Sequence, residues 1–257
     1  MELIPSVIFA EETVEPTWLV HQMFPRGTLI ALVGEAGAGK SYLSYYLSYC
    51  VALGRPFLGF STVQTPVLYF DEENSRPDAI QYQHWVWRAL GCPEPALLDP
   101  VIHPQHLALL AGWKGPMAAL ATKYRPGLIV VDTATPALHI QDENDNAEAT
   151  QAIQSLRGIQ DAAGNETTIL ILKHEREKKE GHGRSVRGAK TWLGAVDQVV
   201  YHARLRGKPR ADGLFDTLLT PEKHRAFALR HRIRIQPNWT DDTPQGLNLQ
   251  GFQLDDA

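Results

Sequence analysis

Eight consecutive residues, Gly34-Glu35-Ala36-Gly37-Ala38-Gly39-Lys40-Ser41, have the types and spacing needed to hold a polyphosphate: G-x-x-x-x-G-K-[S/T]. Glycines put no Cβ between backbone N–H groups and a phosphate chain, so the loop can curl around several anionic oxygens at once. Lys40 can then reach the β- and γ-phosphates, and the Ser41 hydroxyl can ligate Mg²⁺. Tyr42, the next residue, joins the nucleotide-binding set. The chemistry expected of this stretch is the binding of a nucleoside triphosphate with Mg²⁺.

Such a loop works only between a strand and a helix, and both are expected here. Thr28–Val33 is an apolar run with the length of a buried parallel strand. Leu43, Leu47, Cys50 and Val51 recur at i, i+4, i+7 and i+8, one face of a helix that Gly54-Arg55-Pro56 then breaks. The N-terminus of that helix adds unpaired N–H groups and partial positive charge.

Three further apolar runs end in polar residues. Pro66–Phe70 leads into Asp71-Glu72-Glu73-Asn74, three acids at the C-terminal end of a strand, where α/β sheets place ligand chemistry. One carboxylate there can take the proton of a water aimed at the γ-phosphate. The others fit as solvated acids ahead of a helix over Asp78–Leu90. Gly127–Val131 ends in Asp132, a carboxylate that reaches Mg²⁺ through water. Thr167–Leu172 ends in Lys173-His174, and a polar residue there can sense the γ-phosphate by a hydrogen bond.

The remaining chain is read around these runs. Residues 1–27, with Pro5, Pro16 and Pro25, form an arm with little regular structure, in which Trp18, Leu19 and Val20 pack on the core or on a neighbouring subunit. A short strand is expected at 100–102, and helices near 116–123, at 147–163 and at 191–196. A strand at 198–202 precedes a hairpin with arms at 214–219 and 226–235, joined by 220–225. Residues 237–257 form a polar, acidic tail, which leaves 28–236 as the core domain.

Composition is that of a globular protein: 44% hydrophobic and 21% charged residues, no apolar run of membrane-spanning length, and two cysteines without metal or disulfide spacing. The N-terminus lacks the basic start of a signal peptide. A cytoplasmic location is expected. Net charge is −4, unevenly spread: residues 173–234 hold 16 Lys/Arg against 7 Asp/Glu, and the rest 9 against 22. A basic segment in an acidic chain points to a polyanionic partner met on one face, or to charge pairing across subunits. Its densest part, 175–190, carries Arg176, Lys178, Lys179, Arg184, Arg187 and Lys190 among three glycines. It is too polar for a core element.

In order, the phosphate loop, the acids after the next strand, the strand-end Asp132, the strand-end His174 and the Lys-x-Arg hairpin resemble the RecA-like ATPase core. Within that group the chain is most similar to the RepA-type hexameric helicases of plasmids and phages and to DnaB-like ATPase domains. Gly54-Arg55-Pro56-Phe57, Val67-Leu68-Tyr69, Asp142-Glu143-Asn144 and Arg187-Gly188-Ala189 carry this closer likeness, which spans about residues 16 to 236. The resemblance implies an α/β fold with a mostly parallel, helix-flanked sheet and a C-terminal β-hairpin. It implies Glu73 as the catalytic glutamate, with Glu72 next in rank, Asp132 as the metal-linked aspartate and His174 as the γ-phosphate sensor. Lys223 and Arg225 match the basic pair that such rings donate to a neighbouring subunit's nucleotide, and Arg187 competes for that role.

The resemblance further implies a ring, expected to hold six subunits, whose 175–190 loops grip single-stranded DNA, with initiator or loader proteins as further partners. A motor of this kind competes with two other readings: a recombinase-like or mediator ATPase that binds DNA without unwinding it, and a KaiC-like switch with a protein partner.

Overall fold

The computed structural model describes residues 16–92, 101–102, 112–142, 145–164, 166–175, 190–205, 207–211, 215–224, 231–240 and 243–253. A small hairpin, β1 (Trp18–Val20) and β2 (Phe24–Pro25), precedes the strand that enters the phosphate loop, β3 (Leu29–Gly34). Helix α1 (Lys40–Leu53) leaves the loop, and β4 (Val67–Asp71), α2 (Arg76–Ala89) and the two-residue β5 (Val101–Ile102) follow. Next come α3 (Lys114–Tyr124), β6 (Leu128–Asp132), the single turn α4 (Ala134–Ala137), α5 (Asn146–Ala163) and β7 (Thr168–His174). The C-terminal part holds α6 (Lys190–Ala195), β8 (Gln198–Arg204), β9 (Thr217–His224), β10 (Arg232–Thr240) and β11 (Thr243–Gln253).

Among the described residues nine strands make one sheet in the order β11-β10-β9-β8-β3-β7-β6-β4-β5. From β8 to β5 all neighbours are parallel; β8–β9, β9–β10 and β10–β11 are antiparallel. The parallel strands are buried on both faces, which is why they read as continuous apolar runs. One face packs on α1, α2 and the N-terminal hairpin, the other on α3, α5 and α6. Helix starts are signalled locally. The Ser75 side chain caps α2, with Pro77 in the first turn, and Asp145 caps α5 through the N–H groups of Ala147 and Glu148.

The α/β fold expected from the sequence is the observed one, with three differences. Leu19 and Val20 pack in the core as expected, with Met23 and Phe24, but 18–25 is a regular hairpin where little regular structure was expected. Residues 220–224, expected as a hairpin connection, continue β9 along β8; Pro221 is accommodated because the ladder shifts register between Val199 and Val200. Residues 237–240 and 243–253, expected as a tail, form the end of β10 and all of β11. An edge strand needs few apolar residues, so its pattern is weak in sequence. Among the described residues no helix is long and apolar enough to cross a membrane.

Candidate active site

Parallel strands end on one side of the sheet, and the ends of β3, β7, β6 and β4 bring Gly34, His174, Asp132 and Asp71 into one row. The phosphate loop rises from the first of these. Gly37 and Gly39 sit at φ +70° and +89°, a backbone that side chains other than glycine's rarely adopt. Gly34 is needed for another reason. A Cβ at that position would lie 2.2 Å from the His202 carbonyl oxygen on the adjacent strand β8. Gly34→Ala is expected to lower stability by about 3 kcal/mol and to weaken nucleotide binding. Thermal melting would check this against Gly158→Ala on α5, where an added Cβ meets nothing within 4 Å.

Lys40 is buried at the head of α1, and its Nζ donates to the carbonyls of Gly34 and Glu35, both at 3.0 Å. Burial lowers its pKa, and the carboxylates of Glu73 and Asp132 oppose that shift. Within the loop, Ala38 is buried, while Glu35, Ala36, Gly37 and Gly39 are exposed. Tyr42 turns inward from the first turn of α1.

Asp132 is wholly buried. Its Oδ2 accepts from the Tyr69 hydroxyl at 2.9 Å, and that hydroxyl lies 2.6 Å from Ser44 Oγ. Oδ1 has no hydrogen-bond partner among the described residues. Burial and the neighbouring Asp71, which stands opposite it in the ladder, push its pKa up to about 7; the Ser41 and Tyr69 hydroxyls partly offset this. A buried carboxylate oxygen without a partner, beside Ser41 and a glycine cradle, fits Mg²⁺, which Ser41 and Asp132 would hold. A bound divalent cation would supply compensation for phosphate charge. Asp71 itself accepts from Tyr45 Oη at 2.8 Å and from Asn74.

Glu73 stands just beyond the end of β4 and meets His174: Nε2 to Oε1 is 3.4 Å. The histidine beside it holds the Glu73 carboxyl below its usual range, and Lys40 and Thr133 contribute in the same direction. The neighbouring Glu72 is held at its backbone, where its N–H donates to the Asp132 carbonyl at 2.7 Å. The structure thus gathers Lys40, Ser41, Glu73, Asp132 and His174 around the phosphate loop.

Other expected site residues lie apart. Lys223 donates its Nζ to the carbonyls of Gly194 and Val196, both at 2.7 Å, within its own chain. Lys190 opens α6. Arg176, Lys178, Lys179, Arg184, Arg187 and Arg225 lie outside the described residues.

Sequence reasoning missed the outer wall of the site. A cavity of about 410 Å³ flanks the loop, bounded by Tyr42, Tyr82, Trp85, His202, Phe215 and Ile235, with Arg204 at its edge. The Arg204 Nη2 donates to the Gly37 carbonyl at 2.5 Å, and its guanidinium lies 6.0 Å from the Phe215 ring centre. His202 and Arg204 sit in a run that signals a strand and carries no motif. Only the pairing of β8 beside β3 brings them to the loop.

Known proteins resemble this chain in family and in fold. Residues 6–180 match the model of the AAA domain family. Two of the solved structures that share the fold illustrate it. One is the flagellar accessory protein FlaH of Methanocaldococcus jannaschii, 15% identical, covering 88% of this chain and 91% of that one, TM-score 0.59. The other is the RadB recombinase, 14% identical, covering 87% and 90%, TM-score 0.53. At these identities the likeness is one of RecA-like architecture. The chain belongs to the AAA domain family and has a RecA-like α/β fold.

Proposed function

We propose that this chain hydrolyses ATP with Mg²⁺ as a ring-forming motor on single-stranded DNA. The observation that carries the hydrolysis reading is the Glu73–His174 contact beside Lys40, while the basic run after it supports the DNA reading. Glu73 takes a proton from water as the water oxygen bonds to the γ-phosphorus and the bond to the ADP oxygen breaks. Lys40 balances charge on the phosphates, and His174 holds Glu73 in place until the γ-phosphate offers it a second partner. His174 ends β7, and the basic run 176–190 begins two residues later. In sequence, the segment that would track a phosphate backbone therefore follows closely on the residue proposed as sensor. In a ring of such subunits, expected to number six, Arg225 with Lys223, or Arg187, would complete a neighbour's site. Initiator or loader proteins are the further partners this reading implies, and the cytoplasm is its compartment.

Hydrolysis measured with and without single-stranded DNA at low salt tests the proposal. Stimulation of several-fold is expected, declining steeply as salt rises, and absent in an Arg184→Ala/Arg187→Ala double variant. Hydrolysis indifferent to DNA would overturn the DNA reading in favour of a protein-directed switch. The fold shared with a recombinase favours a second reading, DNA binding without unwinding. A forked-duplex assay separates the two, since only the motor opens the fork.

A further inference from the structure

His202 is 3% exposed, yet neither of its ring nitrogens has a hydrogen-bond partner among the described residues. An imidazole buried this completely is normally satisfied on at least one side, because an unpaired buried polar group costs as much as a lost hydrogen bond. The ring borders the cavity beside the phosphate loop, and its Cε1 lies 3.7 Å from where a Gly39 Cβ would stand. Burial, with the Lys40 ammonium adding to it, lowers its pKa to about 3, so the ring is neutral and offers one donor and one acceptor.

The cavity around it is mostly apolar and aromatic. Tyr82 and Trp85 meet edge to face at 5.5 Å on one wall, and Phe215 and Ile235 form the other. Walls of this kind hold a flat ring by stacking without distinguishing its edges. The loop lining one side places a bound triphosphate at the mouth, so the rest of the nucleotide has this space to enter.

We infer that His202 hydrogen-bonds the nucleoside of the bound nucleotide and sets which nucleoside is accepted. The inference rests on the phosphate-loop reading, and the test separates the two. ATP and inorganic tripolyphosphate are each titrated against wild type, His202→Phe, His202→Gln and Lys40→Ala with Mg²⁺ present. His202→Phe, which fills the space without polar atoms, is expected to bind ATP about tenfold more weakly while binding tripolyphosphate like wild type. His202→Gln, which keeps a donor and an acceptor, should recover most of the difference. Including dATP and GTP assigns the contact: a preference lost between ATP and dATP places it on the ribose, and one lost between ATP and GTP on the base.

Equal ATP affinity in wild type and His202→Phe would overturn the proposal. So would a parallel loss of ATP and tripolyphosphate, which would make His202 a support for the loop. Failure of the wild type to bind tripolyphosphate, with Lys40→Ala leaving ATP affinity unchanged, would instead overturn the phosphate-loop reading beneath it.

Discussion

Glu73→Gln is expected to slow ATP hydrolysis by about 10²–10⁴-fold while leaving nucleotide affinity within a few-fold of wild type. The replacement has the same shape and can still accept from His174, 3.4 Å away, but it cannot take a proton from water. The direction of the pKa shift shows what His174 adds. Glu73 is already ionised at pH 7 at the ordinary carboxylate value, so a further lowering adds almost nothing to its charged fraction. The contact therefore acts on orientation, and His174→Ala should cost turnover without moving the acid limb of the pH profile into the neutral range. Phosphate release, paired with binding of a fluorescent ATP analogue, reads both effects. A Glu73→Gln enzyme that turns over at the wild-type rate would move the base to Glu72 or Asp71.

Asp132→Asn is expected to stabilise the nucleotide-free protein at pH 8, by about 2–4 kcal/mol, while abolishing Mg²⁺-dependent hydrolysis. Its carboxyl is raised from 3.8 to about 7 by burial and by Asp71. Between those values the native state holds a proton that the unfolded chain has released, so stability falls as pH rises through that window and stays low above it. Asparagine is neutral throughout, accepts the Tyr69 hydrogen bond, and removes the penalty. Thermal melts from pH 5 to 8.5 should show the variant gaining on wild type as pH increases, by about 5–10 °C at the top of the range. Addition of Mg²⁺ and ATP should raise the melting point of wild type alone. Equal melting of the two proteins at pH 8 would show that water or a cation already compensates the carboxylate.

The placement of both residues beside the phosphate loop is legible in the sequence, and the reason is local. Asp132 and Glu73 each follow a run of buried strand residues, and a parallel strand places whatever ends it on the ligand side of the sheet. The phosphate loop is legible for the same reason, since eight adjacent residues carry its whole geometry. What could not be read depends on pairings between distant segments. Asp71 opposite Asp132, Tyr69 beneath Asp132 and Arg204 on the Gly37 carbonyl each depend on strand register or strand order. His202 lies in a strand whose neighbour is 168 positions earlier, Val33 pairing with Tyr201. The β10–β11 pair was hidden for another reason: its sequence is polar and carries Pro237 and Pro244, residues that a sheet edge tolerates and a central strand does not.

The sheet order also has a consequence for synthesis. Strand β3 lies in the middle of the sheet, yet its two neighbours are β7 and β8, and Leu29 pairs with Ile169. On the ribosome, at about 5–20 residues per second, the apolar strand that carries the phosphate loop waits roughly 7–28 s for its first partner. The segments from β4 to β6 can associate earlier, because their contacts are closer in sequence. Nascent chains halted before residue 168 should therefore be unable to retain nucleotide, however complete their phosphate-loop sequence, and they present a bare hydrophobic strand to chaperones. The oldest-emerging part of the site is the last to become functional.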